Sequence, residues 1–192
     1  MNSTPLSTDE INIKIELLPQ FLQNKISSYT SNEKKQQRLE GIALLTTALR
    51  NNQMDENYIH SIYYNDYGKP FISNDFDFSI SYSQTTIVLG CIKRGFIGVD
   101  IEGVKPIDCF IYKDYLTTKE WAFLTHNSFS PTTFFQLWTR KEAVVKAIGK
   151  GAFLDFNLIE VLENSITLDN IVLNLTTEFF EGYCLSVASC KK

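Results

Sequence analysis

The sequence predicts an α+β fold made of two similar halves that pack together. Apolar residues recur at helical spacing over about residues 32–50, and Ser130-Pro131 and Gly149 mark the ends of a second long helix. Each of these helices is accompanied by stretches that alternate with the period of a strand. We therefore expect an N-terminal half over residues 1–95 and a C-terminal half over residues 96–192. No internal repeat in the sequence supports a duplication.

The composition is that of an ordinary globular protein: of the 192 residues, 44% are hydrophobic and 21% are charged. The formal net charge of −4 does not favour a broad surface for nucleic acid. No apolar run approaches the roughly 18 residues that a membrane span requires, and the polar start lacks the pattern of a signal peptide. The four cysteines lack metal-ligand spacing, so we expect free thiols and a cytoplasmic protein.

The first part of the chain predicts one strand and two helices. Alternation over residues 11–17 predicts a first strand, which Pro19 would end. A short helix is expected over residues 21–29. Ser31 then precedes a longer helix over about residues 32–50, whose inward face carries apolar side chains.

The middle of the chain predicts a turn and three strands. Gly68 and Pro70 mark a turn around Lys69, because glycine accepts a positive φ and proline restricts φ. Alternation predicts strands over residues 76–82, 85–92 and 96–102. We expect residues 93–95 to form a hairpin connection between the second and the third of these strands.

The C-terminal half predicts capped helices followed by strands. After a helix expected over residues 107–115, Thr117 and Glu120 form the capping-box pattern of the next helix. Ser130 before a proline marks the start of a long helix, and Gly149 marks its end. The β-rich segments beyond it predict an antiparallel set over residues 157–162, 166–168, 171–175 and 183–188.

One face of the long helix combines an aromatic ring, an acid and a base. Trp138, Glu142 and Lys146 recur at intervals of four residues, so a helix places them on one stripe. The alternative is a solvated pair of Glu and Lys, which typically contributes about 0.3–0.5 kcal/mol. We expect Trp138 to serve packing. The interpretation of this face as a site depends on a second acidic element upstream.

That element is the strand over residues 96–102, in which Asp100 and Glu102 share one face and Gly98 leaves room before them. Two neighbouring carboxylates beside a small residue can share a cation, although a strand with one solvated face is the alternative. If Glu142 joins them, the ligand set contains oxygen and neither His nor Cys. Such a set suits Mg²⁺ or Mn²⁺.

The long helix and its end also concentrate positive charge in an acidic chain. The four basic residues are Arg140, Lys141, Lys146 and Lys150. Together with a hard metal ion, such a cluster is suited to a ligand that carries a pyrophosphate group.

Together the two elements resemble the signature of the 4′-phosphopantetheinyl transferases, in their two-halved, surfactin-synthetase-activating type. The chain shows GVDIE at residues 98–102 and WTRKEAVVKAIGKG at residues 138–151, in the family's order. The resemblance implies a Mg²⁺-dependent monomer whose two halves pack pseudo-symmetrically around an active-site cleft. It also implies transfer of the phosphopantetheine group of coenzyme A to a serine of an acyl or peptidyl carrier protein.

The resemblance implies roles for residues of both motifs. Asp100, Glu102 and Glu142 would hold the metal ion. Lys146 would bind a phosphate and steady the leaving group. Glu120, or a metal-bound water, would accept the proton of the carrier serine. Alternatively, Glu120 serves only its helix as a capping-box residue.

Other positions of the resemblance concern coenzyme A. Lys69 would lie near the cofactor phosphates, and Arg38 is the nearest match to an arginine that reaches coenzyme A. Ser81 and Tyr82 fall where the family has Ser-His-Ser, so Tyr82 keeps a hydrogen-bond donor but gives up a possible positive charge. The alternatives are an exposed turn for Lys69, a solvated helix face for Arg38 and an extended apolar row for Tyr82.

We retain two other hypotheses for the function. Tyr82 supports a non-catalytic relative that binds a nucleotide or a carrier protein without transferring a group. A Mg²⁺-dependent phosphohydrolase of another fold would use similar residue types, but it leaves the order of the two motifs unexplained.

Overall fold

The computed structural model describes residues 4–73 and 75–191. The helices are α1 (Thr8–Glu16), α2 (Gln20–Ser27), α3 (Asn32–Asn51), α4 (Thr118–His126) and α5 (Pro131–Ile148). The strands are β1 (Tyr63–Tyr64), β2 (Pro70–Phe71), β3 (Phe76–Ser83), β4 (Thr86–Lys93), β5 (Gly95–Gly103), β6 (Ser165–Leu168), β7 (Ile171–Phe180) and β8 (Tyr183–Lys191). Short 3₁₀ helices cover Glu56–Ser61, Cys109–Tyr115, Gly151–Phe153 and Phe156–Leu158.

The strand predicted over residues 11–17 is wrong, because this segment lies largely in helix α1. Ser7 caps the helix: its hydroxyl accepts the N–H of Glu10 at 3.3 Å, and the Glu10 carboxylate accepts the N–H of Ser7 at 2.8 Å. Ile11 and Ile15 are buried on one face, where they join a cluster with α2 and α3. Ile11 and Ile15 are four residues apart, so the isoleucines also fit the spacing of one face of a helix. The capping box at the start of the segment stabilises the helix.

The helices predicted over residues 21–29 and 32–50 are confirmed as α2 and α3. Ser31 is the N-cap of α3, and its hydroxyl accepts a backbone N–H of the first turn at 3.4 Å. Leu45 and Leu49 of α3 are buried in a cluster with residues of β3. The core of the N-terminal half therefore lies between α3 and the strands that follow it.

The three strands predicted in the middle of the chain are present, but one pairing differs from the prediction. β3 and β4 form an antiparallel hairpin. β5 joins a four-stranded antiparallel sheet of order β5-β8-β7-β6 and pairs with β8 along its whole length. Residues 93–95 therefore link two sheets, and the hairpin predicted at this connection is wrong.

Side chains of β3 accept hydrogen bonds from one edge of β5. In the predicted hairpin, this edge of β5 would have paired with β4. Every second residue of β3 accepts a backbone N–H from β5. The donor–acceptor pairs are Ile97 to Asp77 Oδ2 at 2.7 Å, Val99 to Ser79 Oγ at 3.1 Å, Ile101 to Ser81 Oγ at 3.2 Å and Gly103 to Ser83 Oγ at 3.0 Å. Because strand side chains alternate with period two, the polar face of β3 lies against β5 and joins the two halves.

Helix α5 lies directly on β5 at Gly98. A Cβ atom at this position would come within 1.9 Å of the carbonyl oxygen of Ala143 and within 2.4 Å of the amide nitrogen of Ala147. Glycine permits this close approach of two backbones. As predicted, α5 begins at Pro131 and ends before Gly149, which has a φ of 76°. The room beside Gly98 is thus filled by the helix that carries the predicted acid and base.

Three of the four predicted C-terminal strands are confirmed as β6, β7 and β8, and the strand predicted over residues 157–162 is wrong. Side chains, rather than a neighbouring strand, bond the backbone of this segment. Arg140 donates to the carbonyl oxygen of Val161 at 2.9 Å. Lys141 donates to that of Ile159, and a carboxylate of α4 accepts the N–H of Val161 at 2.9 Å. These bonds satisfy polar groups that would otherwise require a β ladder.

Each half packs one long helix against antiparallel strands, which confirms the α+β class. α3 packs on the β3–β4 hairpin, and α5 packs on the four-stranded sheet. The helix predicted over residues 107–115 forms only as the 3₁₀ helix Cys109–Tyr115.

Two expectations from the composition are consistent with the structure. All four cysteines lie in the described part of the chain and are free thiols. None of the described helices is long and apolar enough to cross a membrane.

We expect Gly98→Ala to destabilise the protein by about 3 kcal/mol or more, because the new methyl group must push α5 away from β5. The measurement is urea unfolding followed by circular dichroism. Gly182→Ala is the matched control, since this glycine has a φ of 81° and open space around it. Its backbone strain should cost about 1–2 kcal/mol. Equal losses in the two variants would contradict a steric role for Gly98.

Candidate functional site

A cavity with a volume of about 530 Å³ lies between the two halves. Helices α2 and α3 and strand β3 line it from the N-terminal half, and α5 lines it from the C-terminal half. The predicted site residues in its wall are Arg38, Lys69, Tyr82, Glu142 and Lys146. The cavity therefore lies where the resemblance implies a cleft, and it brings together residues from motifs far apart in the sequence.

Lys146 of α5 and Asp100 of β5 form an ion pair beside this cavity. The ammonium nitrogen of Lys146 lies 2.6 Å from Oδ1 of Asp100, and the hydroxyl of Ser81 donates to the same oxygen at 2.8 Å. Lys146 also donates to the Ser81 hydroxyl at 3.2 Å. Three residues predicted from separate segments therefore meet where α5, β5 and β3 come together.

Negative charge is concentrated around this ion pair. Burial raises the pKa of Asp100, and the positive charge of Lys146 opposes the rise. Burial and the charge of Asp100 raise the pKa of Glu102. Burial, Asp100 and Glu102 also raise the pKa of Glu142. The three predicted metal ligands thus feel one another's charge across the contact between β5 and α5.

Oxygen Oδ2 of Asp100 is buried and has no hydrogen-bond partner among the described residues. Buried polar atoms are normally bonded, so this oxygen, with the raised pKa values around it, fits a hard cation such as Mg²⁺. In the observed side-chain arrangement, no three His, Cys, Asp or Glu side chains of residues 4–73 and 75–191 are placed to hold a metal ion. The metal-binding roles of Asp100, Glu102 and Glu142 stay predictions.

Glu120 lies outside the cavity lining and is fully buried. Its carboxylate accepts the N–H of Thr117 at 2.8 Å and that of Val161 at 2.9 Å. It also forms an ion pair with Lys141 at 2.7 Å. The capping-box interpretation is confirmed. The role of Glu120 as a base stays a prediction, and it would require this buried ion pair to open.

The predicted basic cluster is divided among the core, the surface and the cavity. Of its four residues, all of them described, Lys146 alone lines the cavity. Arg140 and Lys141 are buried and donate to carbonyl oxygens of the loop after α5. Lys150 forms a solvent-exposed ion pair with Asp169 at 2.6 Å. The division follows from the helix, because neighbouring positions point in different directions.

Lys69 reaches the cavity wall, but its donors are already bonded. Its ammonium nitrogen lies 2.7 Å from Oδ2 of Asp77 and donates to the carbonyl oxygens of Ala147 at 3.1 Å and Ile97 at 3.3 Å. Burial lowers the pKa of Lys69, and Asp77 opposes this change. Because an ammonium group has three donors, a phosphate would have to displace one of these partners. The exposed-turn alternative for Lys69 is wrong, since the side chain is buried.

Arg38 of α3 and Tyr82 of β3 form a stacked pair in the cavity wall. The guanidinium carbon of Arg38 lies 3.7 Å from the centre of the Tyr82 ring and 5.2 Å from that of Tyr29. The solvated-face alternative for Arg38 is therefore wrong. Lys34, one turn earlier on α3, is exposed and lies outside the cavity lining.

No sequence pattern predicts three further residues of the cavity wall, which are Lys25, Tyr29 and Tyr64. Lys25 donates to the hydroxyl of Tyr64 at 3.2 Å and lies 4.3 Å from the centre of its ring. Lys25 belongs to the short helix α2 and Tyr64 to the two-residue strand β1, whereas Tyr29 lies between α2 and α3. None of these segments carries a motif, so only the folded chain places the three residues at the cavity.

Trp138 serves packing, as expected. Its ring lies among aromatic side chains, with centroid distances of 5.1 Å to Tyr112, 5.6 Å to Phe156 and 6.0 Å to Phe134. The aromatic residue of the predicted stripe therefore supports α5 from the core, while Glu142 and Lys146 of the same stripe reach the cavity.

The chain is similar to known proteins over part or most of its length. Residues 96–188 match the family model of the 4′-phosphopantetheinyl transferase superfamily. The 4′-phosphopantetheinyl transferase gsp of Aneurinibacillus migulanus is 35% identical over 134 residues, which cover 65% of this chain and 56% of the relative. The 4′-phosphopantetheinyl transferase Sfp of Bacillus subtilis is 29% identical over 162 residues, which cover 82% of this chain and 71% of the relative. The chain thus spans little more than half of the first relative's length.

The chain is also similar to proteins of known structure. The holo-[acyl-carrier-protein] synthase of Thermotoga maritima has a TM-score of 0.40 and 14% sequence identity, and the alignment covers 50% of this chain and 63% of that chain.

Amide substitution should separate the roles of two glutamates. Glu120→Gln should destabilise the protein by about 3–5 kcal/mol, because it leaves Lys141 buried without its counter-charge. Glu142→Gln should leave stability at pH 7 unchanged or higher, because burial and neighbouring charges oppose the ionisation of Glu142. Urea unfolding at pH 7 measures both effects. A loss of stability in Glu142→Gln as large as that in Glu120→Gln would contradict this assignment.

The pH dependence of stability should change in the same variant. A carboxyl whose pKa is raised by folding stabilises the native state below its ordinary pKa, which is 4.5 for Glu142, and this contribution is lost as the pH rises through the raised value. Glu142→Gln should therefore flatten the decline in stability above about pH 4.5. Glu178→Gln, on an exposed position of β7, is the control. Parallel pH profiles for Glu142→Gln and the wild type would count against the raised pKa.

Proposed function

We propose that the chain belongs to the 4′-phosphopantetheinyl transferase superfamily, which the match of residues 96–188 and the similar relatives support. On that premise, we propose that it transfers the phosphopantetheine group of coenzyme A to a serine of an acyl or peptidyl carrier protein. The observation that carries the proposal is the meeting of the two motifs at one cavity. Asp100 of the first motif is paired with Lys146 of the second, and Glu142 and Lys146 line the space between the halves. A wall with both cations and apolar side chains suits a ligand with phosphates and an organic arm.

In the proposed reaction, the serine oxygen of the carrier attacks the β-phosphorus of coenzyme A. A bond forms between this phosphorus and the serine oxygen. The bond from the phosphorus to the bridging oxygen of the pyrophosphate breaks, and 3′,5′-ADP leaves with the bonding electrons. Lys146 would bind phosphate oxygens and stabilise the negative charge that grows on the leaving group.

The proton of the serine needs an acceptor at the cavity. Glu142 lines the cavity, so a serine bound there would lie within reach of its carboxylate. We therefore propose Glu142 as the acceptor of the serine proton. Glu120, the acceptor that the resemblance implies, would first have to leave its capping box and its ion pair with Lys141.

Asp100, Glu102 and Glu142 would hold Mg²⁺ or Mn²⁺, and the partnerless Oδ2 of Asp100 supports this assignment. When bound, the ion would supply positive charge for the pyrophosphate oxygens. Ser81 would orient the site, because it donates to the other oxygen of Asp100 and accepts the N–H of Ile101. A carboxylate has two oxygens, so one oxygen of Glu142 would contact the cation while the other faces the carrier serine.

We also propose that the protein acts as a cytoplasmic monomer. The resemblance to the two-halved type of transferase supports a monomer. The four cysteines are free thiols, which supports a reducing compartment.

Incubation with an apo carrier protein, coenzyme A and Mg²⁺ should raise the mass of the carrier by one phosphopantetheine group, as measured by intact-protein mass spectrometry. Lys146→Ala and Glu142→Gln should each slow the transfer by about 100-fold or more, the usual effect of losing a group that stabilises the transition state. Lys34→Ala removes a charge from the exposed face of α3 and should react at the wild-type rate.

Two outcomes would contradict a transferase. If several unrelated carriers gain no mass while coenzyme A still binds, the protein is a non-catalytic relative. If coenzyme A is consumed in the absence of any carrier, the protein is a phosphohydrolase. A carrier with alanine in place of its acceptor serine should stay unmodified in every reaction.

Addition of Mg²⁺ should raise the unfolding temperature of the wild type. A ligand that binds only the native state at 100 times its dissociation constant stabilises a protein by about 2.7 kcal/mol. Asp100→Asn should abolish the effect, because it removes charge from the proposed ligand set. Differential scanning fluorimetry measures the shift. An equal Mg²⁺ response in the wild type and in Asp100→Asn would exclude this residue as a ligand.

A further inference from the structure

The pair of Arg38 and Tyr82 differs from the two lysines of the cavity wall that are paired with buried carboxylates, and resembles Lys25, which lies over the ring of Tyr64. Lys69 and Lys146 are each bonded to a buried carboxylate, Asp77 in one case and Asp100 in the other. Arg38 forms no ion pair within the part of the chain that the structure describes, and its Nε atom is buried without a hydrogen-bond partner. Its positive charge is therefore held by aromatic rings and is not neutralised by an acid.

Tyr82 is wedged between Arg38 and the backbone of α3. An added Cβ at Gly41 would lie 2.1 Å from the hydroxyl oxygen of Tyr82 and 2.9 Å from the ring carbon that carries it. The hydroxyl end of the ring therefore occupies the space that a side chain at Gly41 would fill, and the guanidinium group of Arg38 lies over the ring. Because Gly41 leaves this room, the position of the ring is determined by packing.

The chemistry of the two side chains suggests a division of roles. Burial raises the pKa of the Tyr82 hydroxyl, although Arg38 opposes the rise, so the phenol stays neutral and does not cancel the charge beside it. A guanidinium group that lies over a ring keeps N–H donors at its edge. Such an edge can bind two oxygens of one phosphate group.

We propose that Tyr82 is a positioning residue, which holds the guanidinium of Arg38 at the cavity wall so that Arg38 binds a phosphate group of the ligand. The proposal rests on the proposed function, in which the ligand is coenzyme A. The sequence suggested that the Tyr82 hydroxyl donates a hydrogen bond to the ligand. In this proposal, the face of the Tyr82 ring acts instead, by holding Arg38.

The test is the dissociation constant of coenzyme A, and separately of 3′,5′-ADP, measured by isothermal titration calorimetry. Arg38→Ala should weaken binding by about tenfold or more, as expected for a lost charge-assisted contact. Tyr82→Ala and Tyr82→Leu should weaken it by a similar factor, and Tyr82→Phe, which keeps the ring face, should restore it. Lys34→Ala, with the same loss of charge on an exposed turn of α3, is the matched control.

A double variant separates positioning from a merely structural effect. If Tyr82 acts through Arg38, then Tyr82→Ala should have no further effect on binding when Arg38→Ala is already present. Urea unfolding of each variant checks the fold, and Tyr82→Leu keeps apolar volume in case Tyr82→Ala is unstable. The expected pattern is a loss of affinity that depends on Arg38 and does not follow the loss of stability.

Several results would overturn the inference. They are wild-type affinity in Tyr82→Leu, a loss in Tyr82→Phe as large as that in Tyr82→Ala, and multiplied losses in the double variant. Failure of the transferase proposal is distinguishable, because it appears as bound coenzyme A or 3′,5′-ADP without modification of any carrier. If the wild type binds neither compound, both proposals fail.

Discussion

The close approach of α5 to β5 at Gly98 is the constraint on which the candidate site depends. No side chain separates the two backbones, so Lys146 on the helix can reach Asp100 on the strand. The same contact brings Glu142 near enough for the charge of Asp100 to raise its pKa. An acid cluster and its base are thus assembled by backbone packing, and the electrostatic properties of the site follow from a position that carries no side chain.

Burial decides what each charged residue does in this fold. Lys69 pairs with Asp77 and Lys141 pairs with Glu120, and all four side chains are buried. Such pairs contribute little net stability because of desolvation, but removing one partner leaves a buried charge, so they specify one arrangement of the elements. In the cavity wall, Arg38 and Lys25 lie against aromatic rings instead, and neither forms an ion pair with a described residue.

The sequence predicted the ends of helices correctly where the residues that form a cap lie close together in the sequence. The box of Thr117 and Glu120 and the end of α5 at Gly149 are examples, because a cap involves residues within one turn. The strand predicted over residues 11–17 failed because its isoleucines fit two periods. The strand predicted over residues 157–162 failed because its backbone partners are side chains of distant helices.

By itself, the sequence determined the class of fold, the limits of most helices and the two motifs that resemble the signature of the 4′-phosphopantetheinyl transferases. It also brought Glu142 and Lys146 onto one face of a helix, since helical spacing depends only on positions within that helix. Only the tertiary structure decided that Glu120 joins a buried ion pair while Glu142 lines the cavity, and that Lys69 is bonded on all three donors while Arg38 is not. The physical reason is that burial and charge pairing depend on groups that folding brings together from distant parts of the chain.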